Sequence, residues 1–287
     1  MPTPMEQLIE YIEYILTPST PVFVVGALIV VLVPIIVHIF VTRSTPYTNL
    51  PSVVLVGPPG AGKTALLTLL ERGDAALSTH TSQVPQSIEL TVSVDQHLSF
   101  REAVKDDAPG EHKKFLLVDT PGHGKLRNFA MDSLVAREGL KGIVFMLDAA
   151  TLDENLAATA NYLYEVLLAL QKRVSSVKTS KTPSAINVLI AANKSDLFTA
   201  LPATLVKSNL EAELGRIRKS RSKGLLASGV GIDDVDNGEN DDWLGEYGSE
   251  KFTFGQMQEF NLEVDIVGGS VTEAKVDKWW HWVSERL

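Results

Sequence analysis

The chain of 287 residues contains no cysteine, which excludes a disulfide framework and suits a domain kept in the cytosol. Basic residues are missing from the beginning: residues 1–21 hold no Lys or Arg, yet include Glu6, Glu10 and Glu13. A cleavable signal peptide wants a basic start, a shorter apolar stretch and a small-residue cleavage site, so that reading fails here. Positive charge is also short overall. The net charge of −9 argues against a polyanion-binding surface and against direct sequence-specific nucleic-acid binding. Residue 2 is proline and the last residues are Glu-Arg-Leu, so neither myristoylation nor prenylation is signalled. There is no internal repeat.

What the early segment does have is an apolar run, Val22–Val41, with no charged residue and with His38 as its strongly polar member. At about 1.5 Å per residue such a helix spans the roughly 30 Å hydrocarbon core of a bilayer. Gly26 and Pro34 weaken a soluble helix but are tolerated in a membrane. A buried core helix or a strand pair is the competing reading of so Val- and Ile-rich a run. The expectation is one permanent N-terminal transmembrane helix at 22–41. Arg43, Lys63 and Arg72 follow it, and the positive-inside bias then puts residues 1–21 outside and the rest in the cytosol.

Beyond a linker at 42–51, the pattern predicts an α/β domain over 52–287. Apolar strands at Ser52–Val56, Leu90–Val94, Phe115–Val118, Gly142–Leu147, Asn187–Ala192 and Leu262–Val267 alternate with helical stretches at Thr64–Arg72, Leu156–Gln171 and Thr272–Leu287. That alternation calls for a mostly parallel six-stranded sheet flanked by helices, with ligands at the carboxyl ends of the strands. Gly229–Glu250 carries eight carboxylates and no basic residue, which predicts a flexible acidic insertion at about 220–250. The basic stretch Arg216–Lys223 just before it reads as a solvated helix end, with a contact to anionic lipid or ribosomal RNA as the alternative.

Three motifs fall at predicted strand ends. Gly57-Pro-Pro-Gly-Ala-Gly-Lys-Thr64 is a full phosphate-binding loop between a strand and a helix. Main-chain N–H groups of Gly60, Ala61, Gly62, Lys63 and Thr64, extending to Ala65, are placed to cradle phosphates. Lys63 is expected to reach the β- and γ-phosphates, and Thr64 to offer a hydroxyl to Mg2+. Asp119-Thr-Pro-Gly122 follows the strand Phe115–Val118; an acid there can hold the metal, and the Gly122 N–H can sense the γ-phosphate. Asn193-Lys-Ser-Asp196 closes the set. The Asp196 carboxylate can accept both the ring N–H and the exocyclic amine of guanine, a donor pair that adenine lacks. Asn193 and Lys194 would brace the loop and cover the base. GTP with Mg2+ is therefore the expected ligand. Two contacts are less defined: a hydroxyl between Arg72 and Leu90 for the metal, where Thr81 is the choice over Thr79 and Ser82, and a last loop near Val264–Gly269 behind the guanine.

These residues resemble the small GTPase superfamily, and more closely the β subunits of the signal recognition particle receptor. The resemblance rests on the N-terminal span, Thr79-His-Thr-Ser82, Asp119–His123, Asn193–Asp196, the polar insertion before the last strand and the Trp-rich Lys278–Trp282. The chain departs from the family in its twin prolines, Pro58 and Pro59, and in lacking an SAK-like guanine loop. The resemblance implies a P-loop GTPase fold and a single-pass endoplasmic reticulum protein with a short lumenal N-terminus. It implies that the GTP form clasps the receptor α subunit in a heterodimer, and through it meets ribosome or translocon indirectly. An Arf- or Sar-type trafficking GTPase, or a passive anchor whose nucleotide never exchanges, are the competing functions. Many GTPases place a glutamine after the glycine of the second motif; here it is His123, a candidate catalytic residue that could instead bond locally. Slow GTP hydrolysis is expected at most, because no arginine is evidently poised in cis.

Overall fold

The computed structural model describes residues 20–44, 50–73, 79–93, 112–137, 139–176, 185–227, 244–245 and 251–287, together with Met5 and Glu13. The chain divides into two units, residues 1–49 and 50–287. In the first, α1 (Thr20–Ser44) is a helix of 25 residues with Pro34 inside it. Its described side chains, such as Phe23, Val30 and Ile36, are exposed. The side chains of residues 22, 25 and 39–44 fall outside the described set, so the expected span 22–41 is not described in full. Among the described residues no helix is long and apolar enough to cross a membrane.

The second unit is built on a six-stranded sheet in the order β2-β3-β1-β4-β5-β6. The strands are β1 (Ser52–Val56), β2 (Gln86–Ser93), β3 (His112–Asp119), β4 (Leu140–Asp148), β5 (Ile186–Asn193) and β6 (Leu262–Gly268). Only the edge pair β2–β3 is antiparallel; β1 pairs in parallel with β3 and β4, β4 with β5, and β5 with β6. The helices are α2 (Lys63–Arg72), α3 (Arg127–Ala136), α4 (Leu152–Ser176), α5 (Ala203–Ala227) and α6 (Asp277–Arg286). Continuous Val/Leu/Ile runs form the central strands because both faces are covered. All five residues of β1 are buried, as a strand sandwiched between helix layers requires.

Alternate residues of these strands feed two cores. Val54, Val56, Ile143, Phe145 and Ile190 pack against α3, α4 and α5. Val53, Leu55, Val144, Met146 and Leu189 pack against α2 and the three buried tryptophans of α6. Each fully buried Leu or Val contributes about 1.5–3 kcal/mol, so the sheet is the rigid platform on which the loops are carried. On α5, Val206, Leu210 and Leu214 form a buried stripe at a spacing of four, and Arg218 continues it at only 1 % exposure. Its guanidinium reaches the Leu244 carbonyl at 3.4 Å and the Gln256 side chain at 3.4 Å. Arg221 lies over the Tyr164 ring and donates to Asn161. The basic stretch is therefore spent partly on packing, because the period of the helix turns Arg218 inward.

Element boundaries differ from the sequence reading, two of them in the second half of the chain. The helix α5 runs to Ala227, so residues 220–227 belong to it rather than to the expected insertion; residues 228–243 and 246–250 lie outside the described residues. Leu244 is buried and the Gly245 N–H donates to the Gln171 side chain at 3.0 Å, which anchors the returning chain. The last helix begins at Asp277 rather than Thr272, because Ser270 and Lys275 form a β-bridge that closes a turn first.

Candidate functional site

The carboxyl ends of β1, β3, β4 and β5 converge on the loop that joins β1 to α2. Gly62 has φ 96°, and a side chain there would put its Cβ 2.3 Å from the Asn193 amide nitrogen. Only glycine meets both demands. Lys63 is buried, and its ammonium donates to the carbonyls of Gly57 and Pro58 at 2.8 and 2.9 Å. Burial pushes its pKa down to about 8, opposed by the nearby Asp119 carboxylate. The lysine is thus folded over the loop it serves, with Ala61 buried and Ala65 half-buried behind it.

Asp119 closes β3 and is fully buried. Its Oδ2 accepts the Thr64 hydroxyl at 2.6 Å, while Oδ1 has no hydrogen-bond partner in the protein. Burial raises its pKa, and the Thr64 hydroxyl, the Lys63 charge, the Ser82 hydroxyl and the Thr120 N–H pull it back. A buried carboxylate oxygen without a partner, beside a threonine hydroxyl, is the donor set a hydrated Mg2+ takes. The residues present fit that ion. Thr120 holds the strand end in place through its hydroxyl on the Leu55 carbonyl, 2.7 Å away.

Gly122 packs directly on the loop: a Cβ there would lie 2.6 Å from the Gly57 carbonyl oxygen and 2.6 Å from Lys63 Nζ. Beside it opens a cleft of about 200 Å³, whose walls include Gly60, Lys63, Thr64, Gly122 and the segment Thr79–Ser82. Thr81 lines this cleft and is exposed, whereas Ser82 is half-buried and helps to lower the Asp119 pKa. His123 is exposed, and its Nδ1 accepts the Lys125 N–H at 3.3 Å, capping the 3-10 turn Gly124–Leu126. Along α3, Phe129 is exposed, Met131 packs against the core, and Ala130 and Leu134 are buried.

Asn193 is a hub. Its amide nitrogen donates to the Ala61 carbonyl at 2.8 Å, and its oxygen accepts the Val271 N–H at 3.1 Å. One buried side chain therefore ties the phosphate loop to the segment after β6. Lys194 adopts a left-handed φ of 64°, and its ammonium pairs with Asp148 Oδ2 at 2.5 Å. Asp148, at the end of β4, also accepts the Ala150 N–H at 2.9 Å. Sequence reasoning missed Asp148; its signal was an acid ending an apolar strand, the same pattern that marked Asp119. Asp196 is exposed, and its charge reaches Lys275, whose pKa is raised first by the hydrogen bond to Glu273. The loop behind this corner is displaced from the expected 264–269. Residues 264–268 are strand, and the loop proper begins at Gly269, with Ser195 N–H on the Gly269 carbonyl at 3.1 Å.

The family model of the signal recognition particle receptor beta subunit matches residues 48–260. The chain belongs to that family. A receptor subunit beta from Saccharomyces cerevisiae is 34% identical over 241 residues, which is 83% of this chain and 84% of the relative. Among solved structures, the receptor's SRb-GTP/SRX complex from Chaetomium thermophilum aligns with a TM-score of 0.69 and 42% identity, covering 83% of this chain and all of that one (100%). The SRb-GDP-Mg structure from the same organism aligns with a TM-score of 0.61 and 43% identity, over 84% of this chain and 100% of that one. These matches carry the receptor β-subunit reading over the Arf- or Sar-type trafficking alternative.

Proposed function

We propose that this chain is the membrane-anchored, GTP-binding β subunit of a signal recognition particle receptor. The carrying observation is the convergence of Lys63, Thr64, Asp119 and Gly122 on one cleft, with Asn193, Lys194 and Asp196 at the neighbouring strand end. Main-chain N–H groups from Gly60 to Ala65 hold the phosphates, and Lys63 swings from its loop carbonyls to the β- and γ-phosphates. Thr64, Asp119 and a hydroxyl of the Thr79–Ser82 segment, Thr81 or Ser82, hold Mg2+, which when bound neutralises phosphate charge. Asp196 selects guanine, and Lys194, held by Asp148, covers the base. The solved relatives bound to GTP and to GDP with Mg support this ligand assignment.

The Gly122 contact couples nucleotide to partner. A γ-phosphate arriving against Lys63 and Gly122 orders the segments on either side of the cleft, which carry the exposed Val84, Phe129 and Val135. Exposed apolar side chains of this kind suit a contact with the receptor α subunit, through which ribosome and translocon are reached indirectly. Residues 22–41, within α1, hold the domain 52–287 on the cytosolic face of the endoplasmic reticulum membrane, with residues 1–21 in the lumen and 42–51 as the linker. Hydrolysis is slow: His123 spends its Nδ1 on a local cap, so GTP serves mainly as a structural ligand. The test loads the full chain in nanodiscs with GTP or GDP and measures capture of purified receptor α subunit. GTP-selective capture supports the proposal; equal capture in both states, or none, overturns it.

A further inference from the structure

The helix α3 is held unequally at its two ends. At its rear, the last carbonyls have no N–H partners within the helix. The chain leaves there through Arg137 in an extended conformation, φ −79° and ψ 112°, without the left-handed turn that would cover them. Arg173 of α4 covers them instead. Its Nη1 donates to the Leu134 carbonyl and its Nη2 to the Arg137 carbonyl at 2.6 Å. A cation at this end also meets the negative pole of the helix dipole. The front is the reverse case. Its N-cap is Leu126, whose side chain accepts no hydrogen bond, and its first turn holds a cation, Arg127, and no acid. Arg127 lies over the Tyr162 ring at 4.2 Å. Its buried Nε has no hydrogen-bond partner among the described residues. Glu165 stands 3.9 Å from Arg127 and 3.7 Å from Arg221, both too long for a hydrogen bond. The core side follows the same gradient, with small Ala130 buried toward the front and larger Leu134 toward the rear.

We propose that α3 is a lever hinged at its C-terminal end, with Arg173 as the positioning residue that holds the hinge. This rests on the coupling of nucleotide to α3 proposed above. The front end continues from Gly122, which packs on Lys63 and the Gly57 carbonyl, so a γ-phosphate acts on the free end of the lever. Ten residues at about 1.5 Å each give a lever of about 15 Å, and a tilt that carries Arg127 by about 4 Å moves Ala136 by less than about 1 Å. Moving the front trades two long ion-pair contacts and an unpartnered Nε for another arrangement. Moving the rear would break two charge-assisted hydrogen bonds to carbonyls. The exposed apolar side chains of α3 then divide by position. Val135, beside the hinge, keeps its place in both nucleotide states, while Phe129, near the front, changes its place with the nucleotide.

The chain has no cysteine, so spin labels go only where a cysteine is introduced. The full chain in nanodiscs carries Asn128→Cys or Ala136→Cys on α3 together with Lys278→Cys on α6, all at exposed positions. Double electron–electron resonance measures each labelled pair with GDP and with a non-hydrolysable GTP analogue. The expected change is about 3–5 Å for the Asn128 pair and under about 1 Å for the Ala136 pair. Arg173→Met keeps the stem and removes the donors. It should broaden the Ala136 distribution in both states while GDP affinity stays within about twofold, since Arg173 holds the end of α3 away from the cleft. Arg173→Lys, which keeps one donation, should fall between the two and serves if the methionine variant does not fold. A rear shift as large as the front one, or an Arg173→Met chain whose Ala136 distribution matches the parent, overturns the hinge. Bound nucleotides that move neither label overturn the coupling of nucleotide to α3 and the hinge with it. An unsubstituted chain that binds neither nucleotide overturns the guanine-nucleotide reading as well.

Discussion

Replacing Asn193 with alanine strikes the point where two loops meet. The side chain is buried at 4 % exposure. It donates to the Ala61 carbonyl at 2.8 Å and accepts the Val271 N–H at 3.1 Å. Asn193→Ala strands one acceptor and one donor, both buried, and each such group costs about 1–3 kcal/mol when nothing replaces its partner. Some relief comes from water entering the vacated space, which sets the expected total at about 2–4 kcal/mol. In a domain of this size that lowers Tm by about 5–15 °C. The loss should also appear as affinity, because the phosphate loop and the last loop no longer share a brace; every 1.4 kcal/mol is roughly tenfold in Kd. Asn193→Asp separates the two bonds. It keeps an acceptor for Val271 but faces a carboxylate to the Ala61 carbonyl, so it should harm nucleotide binding at least as much as alanine does. The assay pairs thermal unfolding without nucleotide with GDP titration. An Asn193→Ala chain within about 0.5 kcal/mol of the parent in both measurements would refute the hub assignment.

Gly122→Ala should weaken GTP more than GDP, by about tenfold or more, since its methyl would lie 2.6 Å from both Gly57 O and Lys63 Nζ; a ratio of the two Kd values checks this. Chelating Mg2+ should speed nucleotide release from the parent, and Asp119→Asn should bring release to the chelated rate with little further response to the chelator. Tyr162 is buried with its hydroxyl unpartnered, and its pKa is pushed up to about 12, chiefly by burial, with Arg127 opposing and Glu165 adding to the rise. The unfolded phenol titrates near 10, so ionisation costs the fold nothing below that pH, and stability falls by roughly 2–3 kcal/mol as pH rises from 10 toward 12. Tyr162→Phe should be neutral or mildly stabilising at pH 7 and should flatten that alkaline loss in a pH series of unfolding curves.

Motifs carried within a few consecutive residues were legible without coordinates. Gly57–Thr64 states its own chemistry because a phosphate loop is made by one turn between a strand and a helix. The six strands were also legible, since doubly covered strands read as unbroken apolar runs, although β2 and β3 extended beyond the expected bounds. Asp148 was marked only as an acid ending an apolar strand; its role was not legible, because it acts through Lys194, 46 residues later. The metal-side hydroxyl was ambiguous for a similar reason. Thr79, Thr81 and Ser82 lie on one irregular segment, where no periodicity states which of them turns toward Asp119.

By itself, then, the sequence determined the apolar run at 22–41, the α/β pattern and the three motifs, because each is a local property of spacing and residue type. The tertiary structure alone decided which of these meet. Placing β1 between β3 and β4 brings the Thr64 hydroxyl to Asp119 across 55 residues of chain. Stacking α6 on the sheet sets Trp279 against Gly269, and the turn of α5 draws Arg218 out of a basic run and into the interior. Such contacts follow from strand order and from which face each helix buries, and neither is written in any short window of residues.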